Sequence, residues 1–294
     1  MTVSTSAPPG AARTSARRLH STRRSRRRTA AIAIAQVAVV LAFLIPIIWM
    51  YVASFRPDGD IQTGRLWPHA WTLRNYRQLL SEPTLARGFV NSVVVSSTSA
   101  AIATSAAALA AYGLARYRFR GRATVTLGLI VAQVVPALTL LVPLVVALQK
   151  MHLTDNLIGL TTVYLLLGVP IGVMLLRNYV TQIPDSLEEA AFIDGATRIK
   201  ALWYITLPLL RPALAAVFAF AFILAWGEYL LALSLQTSDD EKTLPLVMQT
   251  LFDQHTFSIG EVTAFGVLIS LPVAVLFMVV QKSLVANLVA GGVK

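Results

Sequence analysis

Residues 184–212 read Pro184-Asp-Ser-Leu-Glu-Glu-Ala-Ala-Phe-Ile-Asp-Gly-Ala-Thr-Arg-Ile-Lys-Ala-Leu-Trp-Tyr-Ile-Thr-Leu-Pro-Leu-Leu-Arg-Pro212. This is the one substantial polar, helix-forming segment set between long apolar runs. Ser186 and Glu189 have capping-box spacing, with Ser186 able to cap and Glu189 able to reach back. Leu187, Ala190, Ala191 and Phe192 follow as a short helix. Asp194-Gly195 stops it, because Gly accepts the left-handed conformation that a helix end wants. A second short helix, about 197–205, leads to Leu207-Pro208, where the next apolar run begins. The expected shape is a compact helix–turn–helix knob. Ala190 and Ala191 give it a shallow face, and Leu187 and Phe192 supply apolar anchors, which suits a helix that beds in a partner's groove.

Everything around this knob is apolar. The chain of 294 residues is 56% hydrophobic and 13% charged, against about 25% charged in ordinary soluble domains. A membrane protein is therefore the first reading. The chain has no Cys, which excludes a disulfide framework, thiolate metal sites and a Cys nucleophile. Apolar runs at about 30–54, 89–115, 124–148, 157–176, 209–235 and 262–284 each suit one crossing, which needs about 20 helical residues. The second run is crowded with Ser, Thr and Ala, which let helices approach closely in lipid, so it belongs inside a bundle. Pro136 and Pro143 lie within the third run. They either free backbone carbonyls for a cavity or simply kink the helix against its neighbours.

Six crossings put both ends on one side, and the basic residues choose it. The tail of residues 1–29, the segment 116–122, the stretch 177–211 and the C-terminal end together hold 18 of the 25 Lys and Arg. The positive-inside rule then makes both termini cytoplasmic. The net charge of +11 is thus orientation charge rather than a nucleic-acid footprint. Residues 1–29 carry eight Arg and no acid among Ser, Thr, Ala, Pro and Gly, a composition expected to be disordered. That tail either touches anionic lipid head groups or acts only as a topology signal. The charge rule places 177–208, and so the knob, in the cytoplasm.

The run Glu189-Ala190-Ala191, Asp194-Gly195-Ala196, Ile205-Thr206-Leu207-Pro208 and Pro212 resembles the "EAA" signature of binding-protein-dependent ABC importer permeases. Further stretches are similar to the carbohydrate-importer branch, closest to the second permease of maltose-type systems. They include Asn75-Tyr76, Phe89-Val90-Asn91-Ser92, Ala110-Ala111-Tyr112-Gly113-Leu114-Ala115-Arg116, Leu175-Leu176-Arg177-Asn178-Tyr179, Trp226-Gly227-Glu228-Tyr229 and the ending Gly291-Gly292-Val293-Lys294. The likeness runs from about residue 36 to the end. It implies an all-α polytopic membrane protein with six transmembrane helices and the type I ABC importer permease architecture, lying in a bacterial or archaeal cytoplasmic membrane. It implies a heterodimer with a sister permease, a cytoplasmic ATPase dimer and an extracytoplasmic solute-binding protein, working by alternating access on a carbohydrate. The ATPase would grip a coupling helix at 185–196 through Leu187, Glu189, Ala190, Ala191, Asp194, Gly195 and Ala196. The chain contains no Gly-x-x-x-x-Gly-Lys-Ser/Thr phosphate loop. ATP and Mg would therefore sit on the partner, with no cofactor and no catalytic residue here.

Glu228 is the only acid inside an expected span, and such a charge is a functional candidate by default. With Trp226 and Tyr229 it either lines a solute pathway, accepting from sugar hydroxyls, or it bonds a neighbouring helix or the outer interface. His20, His69, His152 and His255 are isolated and lack metal-ligand spacing. Asp239-Asp240-Glu241 reads as a solvated outer loop. The competing class is an ion-gradient secondary transporter, which wants ionisable groups near the midplane and paired broken helices; Glu228 alone, off-centre, is poor material for it. A membrane-embedded enzyme would want clustered His, Asp or Glu in the spans, and the sequence has none.

Overall fold

A computed structural model gives the fold of residues 12–61, 63–65, 67–254 and 258–291. In chain order the helices are α1 (Ala12–Ser54), α2 (Asp58–Ile61), α3 (Arg74–Leu80), α4 (Pro83–Arg116), α5 (Arg122–Val134), α6 (Leu141–Lys150), α7 (Leu157–Val180), α8 (Asp185–Ile193), α9 (Arg198–Ala201), α10 (Leu207–Trp226), α11 (Leu230–Leu235), α12 (Leu244–Gln254) and α13 (Ile259–Gly291). Among the described residues there is no strand. Five helices are long and apolar enough to cross a membrane, and a bent pair brings the total to as many as six.

The centre of the bundle is α4, α7 and α10. Ala107, Ala108 and Ala111 of α4 meet Val173 and Leu176 of α7 and Ala213 and Val217 of α10 in one buried cluster. Lipid tails are as apolar as these side chains, so burial from water does not drive the helices together; close van der Waals packing does. Gly172 shows how close: a Cβ there would lie 2.9 Å from Ala107 Cβ and 3.1 Å from Val217 Cγ1. The small-residue run of the second span does lie inside the bundle. Outside this centre, α1 packs on α13, and its apolar segment Ala31–Ser54 leaves no residue of its most apolar window buried. At about 1.5 Å per residue, that 24-residue segment is long enough for a core of about 30 Å.

Three expectations are corrected. Residues 1–29 were expected as a disordered tail, and residues 1–11 lie outside the described residues, but α1 is already helical from Ala12. Arg and Ala are among the better helix formers, and a helix continued from a span needs no new nucleus. The third span, expected as one helix over 124–148, is broken: α5 and the helical stretch Ala137–Lys150 meet at 96°. Pro136 pushes Val135 into an extended conformation, φ −68° and ψ 121°, as a residue before proline prefers. Pro143 falls in the first turn of α6, where its missing N–H has no partner to lose. The fifth span, expected over 209–235, instead runs from Arg198 to Trp226. It then stops at residues 227–229 before the short α11, so Glu228 sits in a break and not inside a span.

The acidic segment after α11 is also tied down more than a free loop would be. Asp155 accepts from the backbone N–H of Thr237 and of Ser238, both at 2.9 Å. Asn91 of α4 donates to the carbonyls of Asp240 and Lys242 at 2.8 and 3.0 Å, and Glu241 accepts from Leu157 N at 3.2 Å. Asp239 and Asp240 themselves remain exposed.

Candidate functional site

The knob forms, but its first turn is built differently from the capping-box expectation. Helix α8 begins at Asp185 with Pro184 at the N-cap and no capping side chain. Neither Ser186 nor Glu189 closes the turn. Arg116, the last residue of α4, instead ties this end of α8 down from another helix, through donors only. Its Nη2 donates to Ile183 O at 2.9 Å, its Nη1 pairs with the Asp185 carboxylate, and its Nε donates to Glu188 Oε1 at 3.0 Å. Asp185 and Glu188 are also both in the first turn, where the helix dipole favours negative charge.

Glu188 is the centre of this arrangement. Although charged, it is 4% exposed. Besides Arg116, it accepts from Tyr112 OH at 3.0 Å and from Thr206 Oγ1 at 2.7 Å. Tyr112 and Arg116 stand four residues apart on α4, on one helix face. Thr206 ends a π-helical turn, Leu202–Thr206, that joins α9 to α10. The wide turn lies just ahead of Pro208, whose ring would clash with the carbonyl four residues back and has no N–H to offer it. One buried carboxylate therefore joins the knob to the ends of two central spans. A buried charge is tolerated only when it is paired and hydrogen-bonded, and three donors meet that condition here.

The far end of α8 follows the expectation. Gly195 has φ +84°. Gly195 N donates to Phe192 O at 3.1 Å and Ala196 N to Ala191 O at 2.8 Å, the bond pair of a Schellman motif. Thr197 then caps α9 through Lys200 N at 3.3 Å. Arg198 lies over the rings of Tyr117 and Phe192, 4.9 and 5.9 Å from their centroids, which braces the turn.

The outward side is apolar and uncovered. Leu187, Phe192, Ile193, Ile199, Trp203 and Tyr204 are exposed, Ile193 to 87%. Glu189, Ala190, Asp194 and Gly195 are exposed too, and Ala191 and Ala196 are half-buried. So the knob separates two adjacent acids: Glu188 is held inside and Glu189 faces out.

The residues expected along a solute pathway are engaged in structure. Trp226 is buried, donates from Nε1 to Ile269 O at 3.1 Å, and stacks on Phe222 with 5.7 Å between centroids. Glu228 accepts from Leu231 N and Ala232 N at 2.9 and 3.1 Å, so it starts α11, and from Tyr164 OH of α7 at 3.0 Å. Tyr229 is half-buried in the same break. Among the described residues, no cluster of three or more His, Cys, Asp or Glu is placed to hold a metal ion; His255 lies outside them. Sequence reasoning missed Glu188, Arg116, Tyr112 and Thr206 as one unit. The available signal was a basic run at 116–122 without an acid of its own and a paired Glu188-Glu189 on the same side of the membrane.

Comparison with known proteins gives a consistent picture. The family model described as "Binding-protein-dependent transport system inner membrane component" matches residues 103–289. The sulfoquinovosyl glycerol transport system permease protein SmoH of Agrobacterium fabrum is 35% identical over 253 residues, covering 85% of this chain and 89% of that protein. The trehalose/maltose transport system permease protein MalG of Thermococcus litoralis is 32% identical over 264 residues, covering 89% and 95%. Among solved structures, a chain of a bacterial ABC transporter involved in the import of the acidic polysaccharide alginate superposes with a TM-score of 0.70. It is 24% identical and is covered to 97%, against 88% of this chain.

Proposed function

This chain belongs to the family of binding-protein-dependent transport system inner membrane components, and from that membership we propose that it is the permease subunit of an ATP-driven importer for a sugar or sugar-like solute, driven through the knob at 185–196. The relatives above are named as sugar-transport permeases. The observation that carries the coupling role is the knob itself. It is a short helix locked at both ends, with Leu187, Phe192 and Ile193 uncovered and Glu189, Ala190, Asp194 and Gly195 on its exposed side. A locked helix with an apolar outer side can bed in a partner's groove and pass on its movement; a loose loop cannot.

In this reading ATP and Mg belong to a separate cytoplasmic ATPase pair, and both termini and the knob face the cytoplasm. Closure of the ATPase pair carries the knobs of this chain and of a sister permease together. The central spans then turn, and the solute path opens toward the binding protein outside. The broken backbone at 227–229 is the stretch proposed to meet the solute, since non-helical backbone within a membrane is tolerated where it lines a cavity. Trp226 and Glu228 fix the shape of that break, beside Tyr229. An ion-gradient transporter finds no support in Glu228, whose oxygens already accept three hydrogen bonds.

The test is co-purification of the assembled complex. An ATPase subunit should stay with the wild-type permease and be lost on Gly195→Val or Glu189→Lys, with membrane insertion unchanged. Solute uptake by this chain alone in ATP-free vesicles would overturn the reading.

A further inference from the structure

We propose that Glu188 is a positioning residue that locks the knob to α4 and α10 at once, so that one displacement of α8 moves both spans together. The inference rests on the coupling role proposed above and adds a route to it. Backbone continuity alone would carry the knob's movement only along the chain, back into α7 and forward through α9 into α10. It supplies no path to α4, which ends 68 residues before Pro184 in sequence. The side chains supply that path. Tyr112 OH and Arg116 Nε of α4 donate to Glu188 at 3.0 Å each, and Arg116 Nη2 adds a bond to Ile183 O at 2.9 Å.

The link to α10 is needed as well, despite backbone continuity, because a wide π turn intervenes. The turn Leu202–Thr206 breaks the regular i→i−4 ladder, and π bulges of this kind are frequent at functional sites. Thr206 Oγ1 bonds Glu188 Oε1 at 2.7 Å, across the turn and back to the knob. Thr206 is fully buried. Bending at the π turn would therefore have to break a buried hydrogen bond to a carboxylate. Glu188 also sits beside Glu189, which faces outward. The two neighbours thus divide the work, one toward a partner and the other toward the spans.

Glu188 is buried and bonded within the chain, so the test is chosen to read coupling rather than affinity. The assembled wild-type complex, with its ATPase and binding protein, is reconstituted in liposomes beside Thr206→Val, Tyr112→Phe and Glu188→Gln. Solute imported per ATP hydrolysed is measured together with the amount of ATPase retained. Thr206→Val and Tyr112→Phe each remove one arm and leave Arg116 paired, so they keep the ATPase and still hydrolyse ATP. The expected result is a fall in solute imported per ATP of about five-fold, the weight of one hydrogen bond in an equilibrium, and a larger fall for Glu188→Gln. Thr206→Ser, which keeps the hydroxyl, should restore the wild-type ratio. Wild-type ratios in both Thr206→Val and Tyr112→Phe would overturn the proposal; if Glu188→Gln does not insert, these two variants decide. A wild-type complex that retains no ATPase would overturn the coupling role itself, a different outcome from loss of the Glu188 link.

Discussion

Gly195→Ala tests whether the knob works as a locked helix. Gly195 holds φ +84°, and a Cβ added there would meet nothing within 4 Å. Steric collision inside the chain is therefore absent, and the cost of Ala is the left-handed backbone alone, about 1–2 kcal/mol. The chain can relieve that strain only by opening the turn, which gives up the Ala196 N to Ala191 O bond at 2.8 Å. If the ATPase recognises the closed form, its affinity should fall by about five- to thirty-fold, the equilibrium equivalent of that strain. Asn enters the left-handed region more readily than Ala, so Gly195→Asn should lose less, and Gly195→Val should lose more than Ala. The assay is titration of purified ATPase onto the permease in nanodiscs, with the far-ultraviolet spectrum as a check on folding. Equal affinity for the Gly and Ala forms would refute the reasoning. So would an Asn variant as weak as the Val variant, because that ranking would report a clash with the partner and not backbone strain.

Three other outcomes are expected. Gly172→Val drives side-chain atoms into Ala107 and Val217, which already stand 2.9 and 3.1 Å from a bare Cβ; thermal unfolding should show a loss of about 1–3 kcal/mol or more from overpacking. Glu228→Leu removes the acceptor for Leu231 N, Ala232 N and Tyr164 OH and should cost at least about 1–2 kcal/mol of stability, as loss of a helix cap does; because Glu228 shapes the break proposed to meet the solute, solute affinity of the assembled transporter should weaken too. At Asp155 the backbone hydrogen bond from Ser238, then that from Thr237, holds the carboxyl below its ordinary range. A depressed folded pKa gives stability that is complete above the ordinary value and lost as pH falls through the lowered one. Protection of the Thr237 and Ser238 amides against hydrogen exchange should thus persist from neutral pH to about 4, the ordinary aspartate value, and fall only below it. Asp155→Asn should flatten that pH dependence.

Much of this fold was legible because a bilayer imposes a simple length rule. Runs of about 20 apolar residues are visible without any knowledge of neighbours, and the Asp194-Gly195 stop follows from local backbone chemistry. The breaks were not legible, because a proline's effect depends on what surrounds it. Pro46, Pro170, Pro212 and Pro272 all lie inside helices, whereas Pro136 ends one. Freed carbonyls can be satisfied by neighbouring helices, and a sequence does not show which neighbours are there. The capping box failed for a related reason. Ser186 and Glu189 have the right spacing, but α8 starts two residues earlier, with Pro184 at the N-cap and Arg116 of α4 paired with Asp185 and Glu188 of its first turn. Glu188 and Glu189 look interchangeable in sequence, yet successive helix positions differ by about 100° around the axis. Only the placement of Tyr112, Arg116 and Thr206 decides which of the two is buried.

The most direct test of the whole account is uptake in proteoliposomes holding the permease pair and its ATPase. The expected result is solute import only when ATP is inside with the ATPase and loaded binding protein is outside, and none with Glu189→Lys. Import that continues without ATP, or without the binding protein, would contradict it.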